Sequence, residues 1–459
     1  MDYLISTNPS KNYEQIGKVA ISTEEEIKSK VQEANKVKET WGTAPIKDRL
    51  QFLEKLYQKI EERRGEMAQL IAREMGKPIS VIDSMEIGSG LEYFKWYLEN
   101  SEKYLAPEIT HEDDTSEHTV YYEPMGVATV IAPWNFPFSN FIWAVIPNLA
   151  AGNTVVFKHS EECPLFGQLL EEIINQRGFP KGVFSEIYGD GKTGDFLVHQ
   201  DINLISFTGS TKVGQYLYKV AAEKFIPARL ELGGSAPGII FEDVDLDKVI
   251  ESIYFNRFYN SGQVCDGLKR LIVHESRLNE VLEKLKTVLG KKKVGDPLDP
   301  ATDIGPLVSK RQLESLESQV NDSLKEGAKV AFKSRVDPNL QGAFYPPTVL
   351  TNIKTTMRVW KEEVFGPVLP VIPFKTDAQA LELANGTDYG LGGYIFTEDK
   401  AKAQEFAAKL KTGMVSVNNT MYLHPADPWG GYKNSSIGRG NGKFGLHEVC
   451  QIKVVATEK

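Results

Sequence analysis

From residue 126 the chain alternates short apolar runs with helical stretches, and that alternation leaves few architectures open. The runs are Val127 to Ala132, Thr154 to Phe157, Phe184 to Tyr188 and Leu204 to Phe207, with helical periodicity near 139–150, 164–177, 191–199 and 212–223. Strands separated by a helix cannot close as tight hairpins, so they lie parallel with the helices packed on the sheet faces. An α/β sheet of this kind has the organisation of a dinucleotide-binding fold, in which ligands sit at the carboxyl ends of the strands.

A second series follows Gly233 and Gly234. Its runs are Gly238 to Phe241, Leu271 to Val273, Val368 to Ile372, Gly392 to Phe396 and Met414 to Val417, with helical stretches near 245–258, 277–288, 310–326, 377–385 and 399–411. The expected organisation is therefore a Rossmann-like dinucleotide-binding domain (1–104 and 125–233) and a second α/β domain (234–431) that contains Cys265. Residues 23 to about 100 read as helical scaffold, from the spacing of Leu50, Leu53, Leu56 and Ile60 and of Met67, Leu70 and Ile71. Ser22 and Thr23 precede a run of glutamates, the pattern of a capped helix start. Between 106 and 124 a polar stretch leads to Thr119, Val120, Tyr121 and Tyr122, an extended run that either pairs with another chain or forms an edge hairpin on its own domain.

Charge and cysteine content narrow the function. A net charge of −9 argues against nucleic acid as a partner, since no basic face is available to meet phosphates. The three cysteines, Cys163, Cys265 and Cys450, are too widely spaced for a disulfide framework or a metal site, which points to a reducing compartment and no metal. The start, MDYLISTNPSK, has neither the basic patch nor the apolar core of a signal peptide, and no run approaches a membrane span. A cytoplasmic protein is expected.

Several residues sit where chemistry is possible. Cys265 lies in NSGQVCDGLKR, a small and polar stretch without clear periodicity; it is either presented to a ligand or an inert core thiol. Gly189, Gly191 and Gly194 in YGDGKTGDF follow a strand and open a helix, as a phosphate cradle or as a tight turn. Gly209, Ser210 and Thr211 in FTGSTKVG occupy a similar junction. Lys158 and Glu161 close a strand as KHSE, where a carboxylate accepts from ribose hydroxyls or joins a loop salt bridge. Glu231 in ARLELGG is either an exposed strand end or a buried base. Asn135, set between prolines in APWNFPF, either donates to an oxyanion or caps a helix.

Taken in order, PWNFP (133–137), KHSE (158–161), FTGSTKVG (207–214), LELGG (230–234), GQVC (262–265), EEVFGP (362–367) and PWGGYKNS (428–435) resemble the aldehyde dehydrogenase superfamily along nearly the whole chain. The resemblance implies that Cys265 attacks the aldehyde carbon, that the Asn135 amide and the Cys265 backbone N–H hold the oxyanion, and that Glu231 activates the water that hydrolyses the thioester. It assigns cofactor contacts to Trp134, Lys158, Glu161, Gly191, Phe207, Gly209, Ser210, Gly233, Glu363 and Phe365. NAD is favoured over NADP because the Glu161 charge would repel a 2′-phosphate. It further implies a homodimer or homotetramer assembled through a small β arm, 105–124 with 440–459, which favours the inter-chain reading of the 119–122 strand.

The chain also departs from the family pattern. A lysine after the WNFP motif and a glutamate after the GxGR motif, a proton relay in many members, correspond here to Ala144 and Gly440. Asp266 follows the cysteine directly, and a carboxylate there opposes thiolate formation. Enzymes that oxidise succinate semialdehyde commonly carry arginines where this chain has Trp143 and Tyr259. With Phe136 and Phe258 these residues are expected to form an aromatic pocket for uncharged aldehydes. Succinate semialdehyde, with Arg257 as the counter-cation, is the alternative. A catalytically silent binding member of the family and a coenzyme A acylating enzyme are the further alternatives.

Overall fold

The computed structural model describes every residue except Met1 and Arg177. Two open sheets organise it. The first is six-stranded, in the order Ser436–Ile437, Ala228–Glu231, Leu204–Thr208, Val127–Ile131, Thr154–Lys158, Phe184–Ile187. All its pairings are parallel except that of Ser436–Ile437, which runs antiparallel to Ala228–Glu231. The second is seven-stranded, in the order Lys329–Lys333, Thr348–Thr351, Val368–Phe374, Leu268–His274, Ala236–Ile240, Tyr394–Phe396, Ser416–Val417, with only the Lys329–Lys333 edge antiparallel. Central strands such as Thr154–Lys158 are buried along their whole length, which is why they read as continuous apolar runs.

The strand order has a functional consequence. From Val127–Ile131 the chain builds outward through Thr154–Lys158 to Phe184–Ile187, then crosses back to place Leu204–Thr208 on the other side of Val127–Ile131. The reversal opens a crevice at the carboxyl ends of Val127–Ile131 and Leu204–Thr208. The loop with Trp134 and Asn135 leaves the first of these strands, and Gly209 and Ser210 leave the second.

Helix Pro137–Ala151 is buried almost throughout and is delimited by Pro at its start and Gly152 in the left-handed conformation (φ 101°) at its end. The buried Glu86 carboxylate accepts from the Phe138 and Ser139 N–H groups at 3.0 Å and pairs with the fully buried Lys77, satisfying both the helix terminus and the carboxylate. This fixes the start of the helix that carries Phe136 and Trp143. Thr23 caps helix Glu24–Thr43 through the Glu26 N–H, as its sequence signature predicts. The helix expected at 164–177 spans Pro164–Asn175, and Arg177 lies outside the described residues.

Three departures from the sequence reading stand out. An N-terminal hairpin, Tyr3–Asn8 with Glu14–Ala20, precedes the first helix. The pair Lys329–Lys333 and Thr348–Thr351 extends the second sheet. The extended run at 119–122 belongs to Ser116–Pro124, the centre of a three-stranded antiparallel sheet between Glu108–Glu112 and Cys450–Glu458. Both edges of that strand are paired within the chain, so inter-chain pairing through 119–122 itself is ruled out; only the outer strands keep a free edge. Among the described residues no helix is long and apolar enough to cross a membrane, and no cluster of three or more His, Cys, Asp or Glu is placed to hold a metal.

Candidate active site

All three cysteines are free; Cys163 and Cys450 are buried, whereas Cys265 is partly exposed on the wall of a pocket. The turn before it is unusual: Asn260 (φ 52°), Ser261 (φ 55°) and Gly262 (φ 72°) are successive left-handed residues. Such backbone is costly unless its surroundings hold it. Here they do. The Gln263 amide donates to Asn260 O (3.1 Å) and accepts from Val308 N–H (2.9 Å), and Ser261 Oγ donates to Gly305 O (2.8 Å). A Cβ at Gly262 would fall 2.4 Å from Gly366 O, so only glycine fits. Beyond the cysteine, the buried Lys269 ammonium donates to Cys265 O (3.0 Å), to Gly234 O (2.9 Å) and to the Glu363 carboxylate, tying the loop to the segment between the sheets and to Glu363.

Asn135 is 5% exposed and lies beside this loop. Its side-chain amide donates to Gln263 O at 3.1 Å, and Asn260 Nδ2 donates to Asn135 O at 3.0 Å. One of the two Nδ2 hydrogens is thus used and the other is available, on a residue that lines the pocket with Cys265.

Burial raises the Cys265 thiol well above its usual range, and the Asp266 carboxylate adds to this, while Lys269 opposes it. Asp266 does not point away: its Oδ1 is 4.0 Å from Sγ, and its Oδ2 accepts from Tyr422 OH at 2.9 Å. The expected opposition from Asp266 is present, and burial is the larger influence. Removing the charge still favours the thiolate. Asp266→Asn is therefore expected to move the alkaline rise of the rate profile to lower pH, read as kcat/KM against pH; an unchanged profile would show that the charge does not reach the sulfur.

Glu231 ends strand Ala228–Glu231 beside Ser436 and is 7% exposed. It sits behind the pocket lining, not on it, yet its charge is felt at Cys265. Neither carboxylate oxygen has a protein partner. Burial raises its pKa well above the usual carboxylate range, opposed by Arg229 and then Arg439.

The pocket brings together Asn135, Cys265 and, of the expected cofactor residues, Trp134, Gly209, Ser210, Gly233, Glu363 and Phe365. The bare Gly233 lies against the Glu363 carboxylate: a Cβ there would come 2.4 Å from Oε2 and displace it. Lys158 and Glu161 lie outside the pocket at the end of their strand, Nζ to Oε2 3.8 Å. Phe207 packs in the sheet core, its ring against Gly209. Gly191 is not in the pocket either. The Asp190 carboxylate accepts from Lys192 N–H (2.9 Å) and Thr193 N–H (3.4 Å), so that helix start already holds an anion and the tight-turn reading accounts for these glycines.

The aromatic wall exists with one substitution. Phe136 lies 6.0 Å from Tyr259 and 6.4 Å from Trp143, which stacks on Trp429 at 6.2 Å and meets Tyr93 edge-on at 5.6 Å. Phe258 is not part of it. It is fully buried in the core of the second sheet, stacked on Tyr254, and Phe255 takes its place beside Tyr259. Arg257 is also excluded as a substrate counter-cation: it is buried, donating to Val368 O (2.8 Å), Val364 O (3.2 Å) and Gly366 O. The charged residues that line the pocket, Asp266 and Glu363, are both acidic.

Residues 2–455 match the aldehyde dehydrogenase family. The chain belongs to the aldehyde dehydrogenase family. An aminoaldehyde dehydrogenase of Pisum sativum is 35% identical to it, covering 96% of this chain and 90% of its own, and the chloroplastic betaine aldehyde dehydrogenase of Beta vulgaris is 34% identical, covering 98% and 92%. Among solved structures, an NAD+ complex of aldehyde dehydrogenase from Bacillus cereus superposes with a TM-score of 0.95 at 34% identity, over 100% of this chain and 93% of that one. This family member carries two pocket features that its sequence motifs did not assign: Tyr93, on a helix that reads as scaffold, and Trp429, inside the quoted PWGGYKNS motif. The sequence signal available for Trp429 was its place in that motif; Tyr93 offered none.

Proposed function

We propose that the chain oxidises an aldehyde to the carboxylic acid with NAD, Cys265 being the nucleophile. The observation that carries this is the placement of a partly exposed cysteine and a buried asparagine amide in one pocket at the sheet's crevice. Cys265 Sγ adds to the aldehyde carbon, and the free Asn135 N–H and the Cys265 backbone N–H donate to the oxyanion. When bound, NAD accepts the hydride that converts this adduct to a thioester. Glu231 then takes a proton from water as it attacks the thioester carbon, and the acid leaves as the C–S bond breaks.

The residues present fit the dinucleotide. Gly209, Ser210, Gly233, Glu363 and Phe365 border the pocket, the bare Gly233 leaves room over Glu363, and Lys158 and Glu161 stand at the neighbouring strand end for the ribose. Glu161 favours NAD over NADP by repulsion of a 2′-phosphate.

The substrate is an aldehyde without an anionic group, and the aromatic wall of Phe136, Trp143 and Tyr259 favours an uncharged one. A cationic aldehyde is the second reading, favoured by the stacked Trp143 and Trp429 and the acidic Asp266 in the pocket and by the names of the aminoaldehyde and betaine aldehyde relatives. Comparing kcat/KM for hexanal, an aminoaldehyde and succinate semialdehyde decides: either of the first two is expected to exceed the last by at least about tenfold. Preference for succinate semialdehyde contradicts both readings.

The six-stranded sheet belongs to a cofactor domain (1–104 and 125–233), which the strand Ser436–Ile437 rejoins, and the seven-stranded sheet to a catalytic domain (234–431). Homodimers or homotetramers form through the three-stranded sheet, where Ile109, Ile452 and Val454 are more than half exposed. Light scattering reads this, and a monomer at micromolar concentration would contradict it.

A further inference from the structure

Five polar atoms near the base are buried without a protein partner: both Glu231 oxygens, Nε and Nη1 of Arg229, and Nε1 of Trp143. Arg229 and Glu231 are two apart on one strand, opposite Ser206 and Thr208, so their side chains leave the same face of the sheet. Arg229 is 4% exposed, and among the described residues its side chain makes one long hydrogen bond, Nη2 to Trp143 O at 3.4 Å. Among the described residues no ion pair within 4.0 Å joins it to any carboxylate. A buried guanidinium left with most of its donors unmet, beside a buried carboxylate with none of its acceptors met, is costly unless water links them.

Gly440 faces the carboxylate without a side chain: a Cβ there would lie 4.0 Å from Glu231 Oε1 and 3.9 Å from Trp429 O. The other charged and titratable groups facing this space are known. Arg439 and Glu448 face it from the C-terminal segment, Tyr97 from helix Ser89–Tyr104, and Cys265 from the loop across the pocket. Arg439 is turned to Gly438 O (2.7 Å) and Ser436 Oγ (3.3 Å). Tyr97 OH donates to Asn441 Oδ1 (3.4 Å). Glu448 and the Arg229 stem both border Gly438: a Cβ there would lie 2.9 Å from Glu448 Oε2 and 3.4 Å from Arg229 Cγ. Of the two cations, Arg229 is the one on the base's own strand face with unmet donors.

We propose that Arg229 is the positioning residue of the hydrolytic half-reaction: buried water bridges its guanidinium to the Glu231 carboxylate, keeping that carboxylate charged and aimed at the thioester. The proposal rests on the assignment of Glu231 as base. In the step concerned, the water oxygen bonds to the thioester carbon and the C–S bond breaks. The proton that Glu231 removes returns to the Cys265 sulfur, with no change of oxidation state. Without the Arg229 guanidinium, Arg439 is the remaining cation opposing burial, so Glu231 ionises at higher pH.

The test uses full-length Arg229→Gln, Arg229→Lys and Glu231→Gln, with NADH formation followed by stopped flow and the acyl group on Cys265 followed by rapid quench and intact mass, across the range where carboxylates titrate. Arg229→Gln is expected to keep the first-turnover NADH burst, to hydrolyse the thioester about tenfold more slowly near neutral pH, and to shift the pH rise of hydrolysis upward by about one unit. Arg229→Lys is expected to restore hydrolysis to within about threefold of the wild type. Hydrolysis in Arg229→Gln that matches wild type at every pH would overturn the proposal, as would Arg229→Lys behaving like Arg229→Gln. Loss of the burst in both variants would also overturn it, since the guanidinium would then serve the fold and not the base. Unimpaired hydrolysis in Glu231→Gln is a separate outcome that strikes the base assignment itself.

Discussion

Cys265→Ala is expected to lose NADH formation by at least about a thousandfold, because the residues lining the pocket include no second thiol to form the covalent adduct. The remaining cysteines cannot substitute. Cys163 is fully buried with its Sγ against Trp134 O at 3.9 Å, and Cys450 is buried at the base of the three-stranded sheet with its Sγ on Leu446 O at 3.2 Å. Steady-state NADH formation with the best aldehyde reads the effect, and retention of more than a few per cent of the rate would remove Cys265 from the mechanism. The fold should tolerate the change, since the loop is held by Asn260, Ser261, Gln263 and Lys269 and not by the thiol.

Glu231→Gln is expected to have the second largest effect and a different signature. Glutamine keeps the shape but cannot accept a proton, so the first turnover proceeds and hydrolysis falls by about 100- to 10,000-fold. In the wild type the raised pKa of Glu231 has a kinetic sign that can be stated: below that pKa the group is protonated and idle, so hydrolysis rises with pH through it. The variant should lose that rise. A steady-state rate equal to wild type would show that water attacks without this carboxylate.

The two parallel sheets were legible because burial on both faces writes continuous apolar runs, as in Thr154–Lys158 and Val127–Ile131. The edges were not. Lys329–Lys333 is exposed at nearly every position and the three-stranded sheet is exposed at many, so neither carries a periodic signal, and their pairing is decided by partners far along the chain. Phe258 shows a phase error that the sequence itself contained. Helix Leu246–Phe258 buries Leu246, Val249, Ile250, Ile253, Tyr254, Arg257 and Phe258, so position 258 continues the core face, while Phe255 and Tyr259, four apart, share the other. The pocket could be anticipated from motifs, but Tyr93 reaches it from a helix more than forty residues upstream of Asn135. Arg229 escaped notice because its importance depends on unmet hydrogen bonds, which sequence does not display.

The most direct test of the account is the mass of Glu231→Gln after mixing with aldehyde and NAD+ and quenching. An enzyme that works as described accumulates the acyl group, with a mass increase mapped to the peptide that contains Cys265 and one NADH released per acylated chain. No mass increase, or an acyl group mapped to Cys163, Cys450 or any other residue, would contradict it.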